Sequence, residues 1–146
     1  MIAEAEVIAD LVPHIARLAG PGRLAIGIGG SRAKGRTDGR SDYDFRLYAD
    51  RFCGDGGSVY AQPEYRHFAA AMQGWERRGL HIDGTWPRLI GAIDAEVDAW
   101  LAGTARPTAL DWSIWGYHLP TDLVHQRIIH DPHGVMAGWK ARLASY

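Results

Sequence analysis

The sequence has little cysteine, no long apolar run and almost no excess of charge. Cys53 is the only cysteine, so the chain cannot form an intrachain disulfide, and such usage is typical of a reducing compartment. No apolar segment approaches the roughly 18 residues of a membrane-spanning helix. The N-terminus lacks the basic and apolar regions of a signal peptide. We therefore expect a cytoplasmic protein with no membrane partner.

The charges of the chain nearly cancel. Lys and Arg number 16 against 17 Asp and Glu, which gives a formal net charge of -1. A domain that binds the nucleic-acid backbone usually carries a basic excess or stripe, so we do not expect a nucleic-acid partner. With 146 residues, of which 47% are hydrophobic, the chain can bury a core. We expect a single domain over residues 1–146.

A glycine-rich turn follows an apolar run that predicts a buried strand at residues 24–28. The run ends in residues suited to a turn, which are Gly29, Gly30 and Ser31. Glycine allows positive φ and close approach of backbone to a ligand, and the amides of a turn that opens a helix favour an anion. Positive charge beside the turn comes from Arg32, Lys34 and Arg36. The pattern predicts a phosphate-binding turn.

A second segment, residues 41–48, alternates as a half-buried strand does. Side chains change face at every strand residue, so Asp42, Asp44 and Arg46 share one face of the predicted strand. Two carboxylates on one face can hold the same hard cation, and Mg²⁺ is normally bound by one or two carboxylates together with substrate phosphates. Asp42 and Asp44 are therefore candidate ligands for Mg²⁺ or Mn²⁺.

Gly30-Ser31, ten intervening residues and Asp42-x-Asp44 together resemble the signature of the nucleotidyltransferase superfamily that includes DNA polymerase beta. In that superfamily Gly-Ser opens a helix, an Arg/Gly segment follows, and a strand carries Asp-x-Asp. Arg32 and Gly35 suit the intervening segment. The resemblance implies an α/β (α+β) fold in which a short mixed sheet is backed by helices.

The resemblance also implies Mg²⁺-dependent transfer of a nucleoside monophosphate from a triphosphate, ATP by expectation, to an acceptor hydroxyl, with release of pyrophosphate. Asp42 and Asp44 would bind the metal, and the turn at Gly29, Gly30 and Ser31 would seat the phosphates. Three basic residues could stabilise transition-state charge, namely Arg32, Lys34 and Arg46. Asp83 ends a short apolar segment, residues 80–83, that predicts a third strand. It is the candidate third carboxylate, as a base or a metal ligand.

Two other glycine motifs do not fit. A dinucleotide-binding fingerprint needs a third glycine at position 32, which is Arg32. A Walker A loop at residues 30–37 needs lysine at position 36, which is Arg36, and must open into a helix. Taken alone, the Gly-Gly-Ser turn could be a plain turn and the Asp-x-Asp pair a solvated face.

The sequence does not decide the class of the acceptor. It could be a small molecule, as for aminoglycoside nucleotidyltransferases, or a partner protein, as for minimal nucleotidyltransferase antitoxins that modify toxins. A third alternative is a non-catalytic nucleotide-binding or scaffold domain. Many superfamily enzymes carry a following helical domain that covers the acceptor, for which this sequence leaves too few residues. We therefore expect a second copy or a helical partner chain to complete the cleft, with contacts at residues 110–120. Trp112 and Trp115 in this segment could stack a ring, or could pack in the core or in an interface.

The remaining elements are predicted from apolar periodicity. Residues 2–19 read as an amphipathic helix that Pro13 would kink or divide. Helices are expected at 61–78 and 90–101, and a strand at 127–130. A last helix is expected to open with Asp131 as its N-cap and Pro132 at its first position.

Overall fold

The computed structural model describes residues 2–33, 42–105 and 118–146. Lys34, Trp112 and Trp115 lie outside these residues. In chain order the helices and strands are α1 Glu4–Ala16, β1 Leu24–Ile28, α2 Gly30–Ala33, β2 Phe45–Ala49, α3 Pro63–Arg77, β3 Pro87–Leu89, α4 Ile90–Ala102, α5 Leu119–His125, β4 Arg127–His130 and α6 Val135–Leu143. A short 3-10 helix, Val59–Ala61, precedes α3. Among the described helices, none has the length and apolar character needed to cross a membrane.

The strands form a four-stranded mixed sheet in the order β3-β2-β1-β4. β1 is antiparallel to β2, with Gly27 opposite Arg46 and Ile28 opposite Phe45. β1 is also antiparallel to β4, whereas β2 is parallel to β3. A mixed open sheet with helices belongs to the α+β class, as the sequence predicts.

Helices cover both faces of this sheet and create two cores. One face packs α1 and α3 against residues that include Ile26, Phe45 and Leu47. The opposite face packs α4, α5 and α6 against Ala25 and Tyr48. Because β1 and β2 contribute to both cores, β2 is buried along its whole length. Side chains from even positions of β2 therefore point toward the core formed with α4, α5 and α6.

Three local predictions are corrected by the structure. α1 runs as one helix through Pro13, which does not divide it. The expected strand at 80–83 is reduced to one isolated parallel bridge between Ile82 and Tyr43, and the third strand is β3 instead. The extended chain is interrupted between them because Gly84 and Trp86 adopt positive φ values of 84° and 42°. The acidic strand predicted at residues 41–48 is also shorter in the structure, because the regular strand β2 begins only at Phe45.

The other helices lie close to their predicted positions. α3 and α4 match the segments 61–78 and 90–101 within two residues at each end. The last helix begins later than expected, at Val135, so Pro132 is not its first residue. Asp131 still acts on this helix, because its carboxylate accepts hydrogen bonds from the backbone N–H groups of Val135 at 2.8 Å and Ala137 at 2.9 Å.

Candidate functional site

The glycine turn and the acidic segment meet at the end of β1. The backbone N–H of Gly29 donates to the carbonyl oxygen of Asp44 at 2.8 Å. Gly30 opens α2 with φ 65°, a conformation that favours glycine. A Cβ atom at Gly30 would stand 3.5 Å from Asp44 Oδ2, and one at Gly29 would stand 3.2 Å from Arg46 Nη2. The two predicted halves of the site are therefore in contact.

Arg46 is the buried cation of this site. Its Nη1 forms an ion pair with Asp44 Oδ1, and its Nε lies 3.6 Å from Asp122 Oδ2. The Arg46 side chain is 8% exposed. Burial lowers the pKa of Arg46, but the hydrogen bond that Arg46 donates to Asp44 and the charges of Asp122 and Asp44 outweigh burial and hold the pKa above its usual value. Arg46 therefore stays charged and fixes Asp44.

Helix α5 supplies Asp122, the second acid beside Arg46, and a hydrogen-bond network connects this carboxylate to Tyr48 of β2. Gln126 Nε2 donates to Asp122 Oδ2 at 2.8 Å and lies 2.8 Å from the Tyr48 hydroxyl. The Tyr48 hydroxyl in turn lies 3.0 Å from Gln126 Oε1. Tyr48 and Arg46 point to the same side of β2. The network therefore links the candidate site to α5.

Asp42 and Asp83 lie at the isolated bridge beside β2. Tyr43 and Ile82 pair there, with Tyr43 N–H donating to the His81 carbonyl at 2.9 Å and Asp83 N–H donating to the Tyr43 carbonyl at 2.7 Å. Tyr43 and Ile82 face the α1 and α3 core, so their neighbours face the other way. Asp42 Oδ1 lies 3.0 Å from His81 Nδ1, and this register sets Asp83 across from Asp44. The carboxylates of Asp42 and Asp83 are exposed.

Arg32 lies on the opposite side of the sheet from Arg46. Its guanidinium stacks over the Tyr43 ring at 3.6 Å, and its Nη1 lies 3.0 Å from Glu4 Oε2. Glu4 also pairs with Arg127 of β4. Partial burial raises the pKa of Glu4, yet the hydrogen bonds from Arg127 and Arg32 outweigh it and lower the pKa. Arg32 thus connects α2 to α1, whereas Arg46 pairs with Asp44 on the other side of the sheet.

Ser31 lies in α2, and its side chain is outside the described part of the structure, as is Lys34. Their predicted phosphate contacts stay predictions.

The donor atoms at this site suit a hard divalent cation in part. Asp42 and Asp44 offer carboxylate oxygens on the same side of the chain, and the Cβ-free turn at Gly30 leaves room beside Asp44. Within the three described ranges, no group of three or more His, Cys, Asp or Glu side chains is arranged to hold a metal ion. Mg²⁺ commonly takes only one or two protein carboxylates and completes its shell with phosphate oxygens and water. The residues therefore fit an ion that arrives with a phosphorylated ligand.

Sequence reasoning missed several residues that shape the site. Asp122 and Gln126 carry no local signal, because they reach Arg46 and Tyr48 only through packing of α5 on the sheet. Trp86 had a faint signal in its position between Gly84 and Pro87, and its ring lies 4.8 Å from Arg46 Cζ. His81, which pairs with Asp42, was expected only as a strand residue.

No protein-family model matches the chain, and comparisons with curated proteins and with solved structures give no match.

Proposed function

We propose that this protein is a nucleotidyltransferase that moves a nucleoside monophosphate from a triphosphate to an acceptor hydroxyl. The observation that supports this proposal is the contact between the Gly29-Gly30 turn and Asp44, which joins a phosphate-binding element to a carboxylate. A turn that opens a helix favours phosphate oxygens, and a carboxylate beside it favours the cation that accompanies them.

In the proposed reaction the acceptor oxygen bonds to the α-phosphorus, and the bond from that phosphorus to the bridging oxygen of the β-phosphate breaks. Pyrophosphate leaves, and the acceptor proton passes to Asp83. When bound by Asp42 and Asp44, Mg²⁺ would neutralise charge on the phosphates and the leaving group. The turn at Gly30 would orient the triphosphate, because the backbone N–H of Gly29 already donates to the Asp44 carbonyl oxygen.

Arg46 contributes a fixed positive charge on the same side as Asp44. Its ion pair neutralises Asp44, which lowers the cost of bringing Asp44 and the other acids together. Because Asp122 also pairs with Arg46, the guanidinium retains an acidic neighbour when Asp44 turns toward a ligand. Of the two basic candidates that the structure describes, Arg32 and Arg46, Arg46 suits the stabilisation of charge near the transferred phosphate.

Titration calorimetry with Mg·ATP tests the proposal. We expect wild-type protein to bind Mg·ATP, and Asp42→Asn to abolish detectable Mg²⁺-dependent binding while the fold is kept, because Asp42 is exposed. Asp98→Asn, which changes an exposed carboxylate on α4 away from the turn, is the matched control and should bind normally. Unchanged Mg·ATP affinity in Asp42→Asn would remove Asp42 from the metal site.

The acceptor class is decided by mass spectrometry of candidate acceptors after incubation with each nucleoside triphosphate and Mg²⁺. A mass increase of one nucleoside monophosphate on a small hydroxylated compound supports small-molecule modification, and the same increase on a partner protein supports protein modification. Tight Mg·ATP binding with no modified acceptor and no pyrophosphate released would favour the non-catalytic nucleotide-binding alternative.

A further inference from the structure

Arg46 has a buried nitrogen that its ion pair with Asp44 does not use. Nη1 of the guanidinium donates to Asp44 Oδ1, whereas Nε is buried and finds no hydrogen-bond acceptor among the described residues. The whole Arg46 side chain is 8% exposed, so bulk water has little access to this nitrogen. A buried N–H group without an acceptor is costly and is uncommon in folded proteins. The position of Nε therefore points to a second arrangement in which it is satisfied.

Asp122 of α5 offers the acceptor for that arrangement. Its Oδ2 atom lies 3.6 Å from Arg46 Nε, which is an ion-pair distance but exceeds the usual range of about 2.7–3.2 Å for an N–H···O hydrogen bond. A movement of about 0.5 Å would bring the two atoms into that range. Arg46 thus donates to one acid, Asp44, and lies just short of donating to the other.

The carboxylate of Asp122 is held in place without Arg46. Gln126 Nε2 donates to Asp122 Oδ2 at 2.8 Å, and a carboxylate oxygen can accept a second hydrogen bond. Lys140 Nζ donates to the carbonyl oxygens of Leu123 at 3.0 Å and Val124 at 2.7 Å, which secures the same helix against α6. An acid that is fixed by other partners can stay in position while the guanidinium moves toward it.

Asp44 is the acid that a ligand would require. Its Oδ2 lies 3.5 Å from the position of a Cβ atom at Gly30, so the carboxylate borders the glycine turn. Its Oδ1 is engaged by Arg46 through a charge-assisted hydrogen bond, which has to lengthen before both oxygens can serve a ligand. A buried guanidinium that loses one acid stays inexpensive to bury only if a second acid receives it.

We propose that Asp122 is a positioning residue that receives the Arg46 guanidinium when Asp44 binds the metal ion of an incoming Mg·nucleotide. This inference rests on the proposed function, because it takes Asp44 to be a metal ligand. Arg46 Nε then donates to Asp122 Oδ2, and Nη1 releases Asp44 Oδ1. Asp122 contacts neither the metal nor the nucleotide, and it acts only through Arg46.

NMR spectroscopy of the Arg46 Nε–H group in the wild-type full chain tests this exchange directly. We expect the proton signal to move downfield when Mg·ATP is added, because the proton gains a carboxylate acceptor. The same titration of Asp122→Asn should give a smaller movement, since a neutral amide oxygen is the weaker acceptor. An Arg46 Nε–H signal that stays unchanged while Mg·ATP binds to wild-type protein would overturn the inference.

Titration calorimetry with Mg·ATP provides a second readout. Asp122→Asn removes the charge and nearly keeps the shape, and it should weaken Mg·ATP binding by about 10-fold to 100-fold, the scale for a residue that supports a metal ligand from outside the metal shell. Asp122→Glu, which restores the charge, should recover much of the affinity. Asp98→Asn on α4 is the control and should bind as wild type does.

A double-mutant cycle separates this role from a general effect on the fold. In Arg46→Gln the guanidinium no longer holds Asp44, so the added change Asp122→Asn should leave Mg·ATP affinity unchanged. An equal loss with and without Arg46, or unchanged affinity in Asp122→Asn, would overturn the inference while the proposed function stands. The NMR titration of wild-type protein decides the matter even if the variants fail to fold. Wild-type protein that does not bind Mg·ATP would remove the proposed function and this inference together.

Discussion

Arg46 is the residue on which the candidate site depends most. It is a buried charge between two acids, Asp44 and Asp122, and under one face of Trp86. Moving a guanidinium out of water is costly, and its acidic neighbours offset that cost only while they remain in place. A site arranged in this way couples ligand binding to stability, because a ligand that takes Asp44 leaves Arg46 with Asp122.

We predict that Asp44→Asn lowers the free energy of unfolding by about 1–3 kcal/mol, because it leaves the buried Arg46 guanidinium with a neutral neighbour. Asp42→Asn should change it by no more than about 1 kcal/mol, since Asp42 and His81 are both more than half exposed. Urea denaturation of the two variants measures both values. Equal free energies of unfolding for the two variants would show that the charge of Asp44 does not offset the cost of burying Arg46.

Asp83 belongs to a second prediction at this scale. If it accepts the proton of the acceptor hydroxyl, Asp83→Asn should lower the turnover number by roughly 10²-fold or more, the scale of lost general-base help. Mg·ATP affinity should change much less, because the proton is transferred only during the reaction. Steady-state kinetics together with calorimetry separate the two effects. Full turnover in Asp83→Asn would show that Asp83 has no role in the reaction. Asp83 would then only be the residue after Ile82 in the bridge to Tyr43.

At the scale of elements, local periodicity predicted what one segment does by itself. Alternation in residues 41–48 placed Asp42, Asp44 and Arg46 on one face, and in the structure Asp44 and Arg46 form an ion pair. The pattern of residues 80–83 predicted a third strand there. In the structure this segment forms only one bridge, because the positive φ values of Gly84 and Trp86 end the extended chain.

Contacts between distant elements could not be predicted in the same way. Asp122 reaches Arg46 because α5 packs on the sheet, and a helix period does not state which sheet face it will cover. The pairing of Glu4 with Arg32 depends likewise on where the first turn of α1 lies against α2. The sequence therefore indicated which site residues of the segment 41–48 share a face. The residues that approach them from other elements, such as Asp122, are known only from the fold.

Glu4 connects three elements, since its carboxylate on α1 pairs with Arg32 of α2 and Arg127 of β4. A carboxyl group whose pKa is lower in the folded protein binds fewer protons there than in the unfolded chain. Its contribution to stability is therefore complete above its ordinary pKa of 4.5 and is lost as the pH falls through the lower folded value.

We predict that Glu4→Gln lowers the free energy of unfolding by about 1–2 kcal/mol near neutral pH, because Arg32 is buried and loses its charged partner. The difference from wild type should shrink as the pH is lowered from about 7 to about 3. Urea denaturation at several pH values measures this trend. Glu6→Gln, on the same first turn and exposed, is the control and should show little difference. A difference for Glu4→Gln that is constant over this range would contradict the proposed linkage.

At the scale of the whole molecule, the two cores share the same central strands. β1 and β2 supply residues to the core with α1 and α3 and to the core with α4, α5 and α6. Phe68 of α3 is buried in the first core. Trp139 of α6 is buried in the second, with its Nε1 donating to Asp94 Oδ1 at 2.7 Å and its ring edge-on to Tyr48 at 5.0 Å. Because the loss of either covering layer would expose apolar side chains of the shared strands, we expect neither layer to unfold separately.

We therefore predict that Phe68→Ala and Trp139→Ala each lower the free energy of unfolding of the whole protein by about 3–5 kcal/mol, the usual range for a large aromatic residue removed from a core. Urea denaturation followed by far-UV circular dichroism and by tryptophan fluorescence should give coincident transitions for both variants, as expected for one cooperative unit. If Trp139→Ala separates the two transitions, the α4, α5 and α6 layer unfolds independently. Asp122 would then leave Arg46, and Gln126 would leave Tyr48, before the sheet unfolds, and the candidate site would lie on the less stable side of the molecule.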